Sequence, residues 1–154
     1  MIDVIKPKGF IKAEIKFKAT GETKIIEFHN MVLNSGKEFL AKCLLEGSKP
    51  IIANILFGDG GIGENGQPKE ISPNCDKLYG ITRVKKSVTA QIDPETPTQV
   101  IFSIVLNEDE GNDHPLNEMG LELSDGTLFS LSTFANLNKN DQMEVGYWWF
   151  VSML

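Results

Sequence analysis

Three stretches of the chain carry residue types that could do chemistry. Gly61-Ile62-Gly63-Glu64-Asn65-Gly66 has the glycine spacing of a dinucleotide cradle and follows an apolar run, Ile51–Phe57, that reads as a strand. That chemistry needs a helix to begin at the glycines, so that its N-terminal N–H groups face a pyrophosphate. The next residues, Gln67-Pro68-Lys69-Glu70-Ile71-Ser72-Pro73, cannot form that helix, and no strand–helix–strand unit surrounds them. The motif fails in its context. Asn107-Glu108-Asp109-Glu110-Gly111-Asn112-Asp113 is dense in oxygen donors, which calcium binds in sets of about six to eight. Its spacing is not that of an EF-hand, and a solvated acidic loop is the simpler reading. No cofactor is expected, with calcium at this loop the one candidate ion and Gly58-Asp59-Gly60-Gly61 a weaker version of the same idea. His29 and His114 stand near no nucleophile signature, and no pair of carboxylates is singled out by spacing. Cys43 and Cys75 form no CxxC pair and read as free thiols. No catalytic residue is expected, and the chain does not read as an enzyme.

The C-terminal run Tyr147-Trp148-Trp149-Phe150-Val151 is more informative. Neighbouring strand residues point to opposite faces. Tyr147, Trp149, Val151 and Met153 therefore share one side, and Trp148, Phe150 and Leu154 the other. Both sides want to leave water. Cover from within the chain, by the stripe of a helix, is the favoured expectation; burial by another subunit is the alternative.

These residues must be carried by β-structure. Phe10–Ala19 alternates Ile11, Ala13, Ile15, Phe17 with Lys12, Glu14, Lys16, Lys18, the period of a strand with one polar face. Thr23–Val32 reads as its hairpin partner, with an irregular pattern that predicts a bulge. One helix is expected over Gly36–Glu46, with Ser35 and Glu38 as a capping box, Phe39, Leu40, Cys43 and Leu44 as its stripe and Gly47 as its stop. Gly58–Tyr79, with five glycines and two prolines, reads as a long irregular loop. Gly80–Ile92 and Thr98–Leu106 form a second hairpin. Leu116–Leu123 and Leu128–Ala135 flank an Asp125-Gly126 turn, and Gln142–Leu154 is the last strand. The whole predicts a mainly β fold, an antiparallel β-sandwich or jelly-roll-like barrel of about eight strands with one short helix. Residues 1–154 form a single β-rich domain in this reading, with residues 1–9 as an extended arm.

Hydrophobic residues at 41% and charged residues at 23% fit an ordinary globular composition. The net charge of -6 argues against nucleic-acid and anionic-membrane partners. The charge is divided: residues 1–49 carry nine Lys against six acids, while residues 50–154 carry six basic residues against fifteen acids. No run approaches the length of a membrane-spanning helix, and the first residues lack a signal-peptide pattern.

Asn30-Met31-Val32-Leu33-Asn34-Ser35-Gly36-Lys37-Glu38-Phe39-Leu40-Ala41 resembles the approach to a helix found in small structural proteins of tailed bacteriophages. Ile52–Gly60 resembles their apolar strand and Gly-rich loop. Asn117-Glu118-Met119-Gly120-Leu121 with Ser124-Asp125-Gly126-Thr127-Leu128-Phe129 resembles their hairpin, and Phe134, Lys139 and the Trp-containing strand fit the same pattern. The resemblance covers about residues 28–150. It implies a virion component of tail, neck, baseplate or fibre-attachment type, made in the host bacterial cytoplasm and present in many copies, with no catalytic residues. Its partners would be copies of itself, in a ring or similar assembly, and other virion proteins, with neither nucleic acid nor membrane. The expected contact is between Lys12, Lys16 and Lys18 of one subunit and an acidic surface of the next, Asp109, Glu110 and Asp113 or Glu118 and Glu122, with Trp148 and Phe150 as apolar anchors. The alternatives are a capsid decoration or head-fibre protein, and a host-glycan-binding module using Trp148 and the Gly58–Tyr79 loop.

Overall fold

The computed structural model describes residues 6–47 and 51–153. Its elements are β1 (Pro7–Phe17), β2 (Thr23–His29), β3 (Met31–Val32), α1 (Asn34–Glu46), β4 (Ile52–Gly58), β5 (Thr82–Ser87), β6 (Thr89–Ile92), β7 (Gln99–Leu106), β8 (Leu116–Leu123), β9 (Leu128–Leu137) and β10 (Met143–Met153). The mainly β sandwich expected from the sequence is what forms. A front sheet runs β2-β1-β10-β7-β6 and a back sheet β3-β9-β8-β4-β5, and the paired strands are antiparallel throughout.

There are ten strands rather than about eight, because two expected strands each divide between the sheets. Thr23–Val32 breaks at Asn30, leaving β2 on the edge of the front sheet and β3 on the edge of the back one. Gly80–Ile92 breaks at Val88 in the same way, into β5 and β6. A strand that changes sheet must turn its inward side chains around, which explains why neither stretch alternates cleanly.

β1 behaves as its pattern predicts: Ile11, Ala13 and Ile15 are buried and Lys12, Glu14 and Lys16 face outward. It pairs with β10 along its whole length, from Pro7 opposite Met153 to Phe17 opposite Met143. Pro7, Lys8 and Gly9 thus begin a central strand instead of an arm; residues 1–5 of the expected arm lie outside the described residues. Between the sheets, Ile11, Phe102, Ile104, Tyr147 and Trp149 meet Phe57, Met119, Leu121 and Phe129. Each such side chain stabilises the fold by about 1.5–3 kcal/mol on burial. Burial also pushes the Tyr147 phenol well above its usual pKa.

The helix starts two residues earlier than expected and without the capping box. Leu33 occupies the N-cap with no side-chain bond, while the Ser35 hydroxyl donates to the Leu128 carbonyl at 2.6 Å. Gly36 lies so close to the Phe129 carbonyl that a Cβ would collide with it. Attachment to β9 has replaced local capping. Phe39 meets Phe129 edge-on with centroids 6.1 Å apart, but Leu44, expected in the buried stripe, is 92% exposed. Gly47 ends the helix as expected, at φ 77°, its N–H donating to the Cys43 carbonyl.

Candidate assembly surface

The outer face of the back sheet is covered by the chain itself. Leu56, Leu128 and Leu131 pack there with Leu33 and Leu78, and with Ile71 and Cys75 at the margin. The loop that brings Leu78, Ile71 and Cys75, between β4 and β5, is irregular as expected, yet it is held by a buried carboxylate. Glu118 of β8 is fully buried. Its Oε1 accepts the N–H groups of Gly60 at 2.9 Å and Gly80 at 2.8 Å, and its Oε2 accepts that of Tyr79 at 2.8 Å. Asn117 Oδ1 accepts Gly61 N–H at 2.7 Å. Gly60 and Gly80 are needed because the two backbones pass so closely that a Cβ on either would strike the other. Asp59 accepts the Ile81 N–H and pairs with Arg83 at 2.7 Å. That guanidinium bond holds the carboxyl below its ordinary 3.8, against a smaller opposing effect of burial.

This corrects two of the expected contact residues. Glu118 and Glu122 are not an acidic surface: they are outward-facing residues of a central strand that lies under its own cover. Glu122 is 9% exposed, accepts from Asn54 Nδ2 at 3.1 Å and pairs with Lys85 at 3.0 Å.

The acidic loop between β7 and β8 is largely neutralised within the chain. Lys18 pairs with Glu108 at 2.6 Å and Lys86 with Glu110 at 2.8 Å. Burial tends to raise the Glu110 pKa, but the Lys86 ammonium and the Asn107 N–H outweigh it and hold the carboxyl below its ordinary 4.5. Lys139 is 3% exposed, with its Nζ 3.1 Å from Asn112 Oδ1 and 3.4 Å from the Glu108 carbonyl. Burial lowers its pKa, and its ammonium supplies positive charge among the very oxygens that suggested calcium. Lys18 and Glu110, expected in a contact between subunits, each have a partner inside one, Glu108 and Lys86. Lys16, Asp109 and Asp113 are exposed and without an ion pair among the described residues, and Lys12 is half-buried.

The outer face of the front sheet is different. By register, His29, Phe10, Phe150 and Ile101 form one row across it, and Glu27, Lys12, Trp148 and Ser103 the next. Phe10 and Phe150 stack with centroids 4.4 Å apart and planes 7° from parallel. The Trp148 ring lies over Gly146, where a Cβ would come within 2.9 Å of it. Trp148 and Phe150 are half-buried and belong to neither buried cluster. Phe10 and Val105, on interior strands of the sheet, are 37% and 41% exposed. The expected cover by the helix stripe is not formed, because α1 packs on β9 of the back sheet. Leu154 lies outside the described residues. Nor do Trp148 and the Gly58–Tyr79 loop make one glycan site: Trp148 is on the outer face of the front sheet and the loop on that of the back sheet.

The arrangement is a flat aromatic platform rimmed by Lys12, Glu14, Glu27 and His29. It holds no nucleophile–base pair and suits non-covalent contact. Phe10 could have been found in the sequence, since it falls on the polar phase of an otherwise alternating strand. The buried carboxylate could not: nothing local distinguishes Glu118 from the exposed acids.

The family described as phage tail-collar fibre protein, N-terminal, matches residues 25–150. No curated protein and no solved structure matches the chain.

Proposed function

The chain belongs to the family of phage tail-collar fibre protein N-terminal domains and is a phage tail structural protein; from this premise we propose that it serves as a non-enzymatic, multi-copy subunit that joins tail components through the outer face of its front sheet. The observation that supports this is the aromatic platform of Phe10, Trp148 and Phe150, uncovered among the described residues in a chain that covers its other sheet and pairs Glu108 and Glu110 of its acidic loop. Exposed apolar patches of this kind mark contacts, and aromatic side chains carry much of the energy of such contacts. The subunit works in the virion, alongside copies of itself and other tail proteins. Shape and apolar burial contribute more to the contact than charge, because Lys18, Glu108, Lys86 and Glu110 are already engaged within the subunit.

Native mass spectrometry tests this, on the chain alone and mixed with the other proteins of the same tail. Complexes with the other tail proteins are expected, surviving molar salt and lost on Trp148→Asp with the fold intact. A persistent monomer that ignores every tail protein would overturn the reading.

A further inference from the structure

A sandwich of two open sheets has four edges, each a row of unpaired backbone groups, and proteins usually protect such edges. Here three are protected in different ways. β2 carries Lys24, opposite Ile15 and so on the inward side, where it would obstruct a strand added there. β3 is only two residues long. β5 carries Arg83, Lys85 and Lys86 and lies beside a bulge at Phe57/Gly58. β6 has none of these devices. Its residues, Thr89-Ala90-Gln91-Ile92, are all exposed, Ile92 at 63%. The run Ser87–Ile92 contains no charge and no proline and includes Val88, Thr89 and Ile92, the β-branched type that favours strand pairing.

The ladder shows which groups face outward. Asp93 N–H donates to the Gln99 carbonyl at 2.9 Å, and Gln91 and Thr89 lie two and four residues on, opposite Ile101 and Ser103. In antiparallel pairing alternate residues bond to the same neighbour. The peptide groups of Thr89 and Gln91 therefore serve β7, while those of Ala90 and Ile92 face the free edge.

We infer that β6 is a strand-addition site whose partner is β6 of a second copy, joined antiparallel about a two-fold axis at Ala90. The strand directions select this partner. β2 and β6 are separated by four antiparallel steps and run the same way, so head-to-tail pairing of β6 with β2 would be parallel, unlike any ladder in the molecule, and would meet Lys24 and Glu27. Pairing of β6 with itself is antiparallel. Residues on one side of a sheet must face residues on that same side, so the axis passes through a residue. Centred on Ala90, the two Ala90 peptide groups exchange hydrogen bonds, Thr89 stands opposite Gln91 of the second copy, and exposed Ile92 stands beside its Val88, whose N–H stays with the Ala53 carbonyl of its own chain. The two front sheets become one of ten strands. This pairing rests on the multi-copy reading above and uses an edge that the aromatic platform leaves free.

The test uses the full chain with Cys43 and Cys75 replaced by serine. Thr89→Cys and Gln91→Cys variants, mixed in equal amounts under mild oxidation, are expected to give the mixed disulfide well beyond the twofold excess over either self-disulfide that random pairing produces. Ala90→Pro removes a donor that only the added strand uses, and proline is tolerated on an edge strand at such a position. It is expected to weaken self-association in sedimentation equilibrium by about tenfold or more with little change in the melting curve. Should that variant not fold, Ile92→Lys carries the same comparison. A chain that stays monomeric, an Ala90→Pro variant that associates as the parent does, or a mixed disulfide at no more than the twofold excess of random pairing would each overturn the pairing. A chain that binds other tail proteins but not itself overturns the pairing and leaves the tail-subunit reading standing. Self-association lost on Trp148→Asp but not on Ala90→Pro moves the contact to the platform instead.

Discussion

The two outer faces of the sandwich start from similar material and end differently. Both present large apolar side chains on central strands, Leu56 and Leu131 at the back and Phe10, Trp148 and Phe150 at the front. The back face meets a loop of its own chain, fastened by Glu118, and becomes a second small core. The front face meets nothing among the described residues. What separates them is connectivity: the long link from β4 to β5 crosses the back sheet, whereas the links between front-sheet strands leave its outer face clear. One face contributes to stability, and the other stays uncovered among the described residues.

Substitutions can break that distinction. The largest effect is expected from Glu118→Ala, which strands three partly buried backbone N–H groups; urea unfolding should show a loss of about 3 kcal/mol. Leu78→Ala opens a gap between loop and sheet and should cost about 2 kcal/mol by the same measurement. Acid gives a smaller effect with a defined sign. Asp59 and Glu110 are held below their ordinary 3.8 and 4.5, so the stability they contribute is present above those values and declines as pH falls past them. Thermal melts from neutral pH downward should turn at about pH 4.5, and Asp59→Asn should flatten the part due to the back-face loop. On the front face, Trp148→Ala should change stability by about 1 kcal/mol or less while abolishing association with the other tail proteins in native mass spectrometry. If Trp148→Ala unfolded the protein as readily as Leu78→Ala, the two faces would be alike and the contrast would fail.

Most of the architecture was legible in the residues. The alternation of Ile11, Ala13, Ile15 against Lys12, Glu14, Lys16 placed β1, and Asp125-Gly126 placed the β8–β9 turn, whose Gly126 has φ 90°. Local chemistry decides such features. The sheet-crossing breaks at Asn30 and Val88 were not legible, since they depend on where the opposing sheet lies. The capping box failed for a similar reason: Ser35 had a better partner, the Leu128 carbonyl, far along the chain. For the candidate site, Trp148 and Phe150 were found through strand parity alone. Glu118 and Glu122 were misassigned because charge in a sequence carries no sign of burial, and the counter-ions of Lys18 and Glu110 lie too far along the chain to be read from it.

The pairing of β1 with β10 has a consequence for the order of events in folding. The first and last strands of the described chain lie side by side near the middle of the front sheet, bonded along their full length. This pairing cannot form until β10 has been made, and closing so long a loop is slow. The hairpins of β1 with β2, β6 with β7 and β8 with β9, whose contacts are local, can form early, while the front sheet has to wait for β10 to join its two halves. A nascent chain therefore holds β7 and β1 with unsatisfied edges until β10 emerges, the interval in which crowding by sister chains is most hazardous.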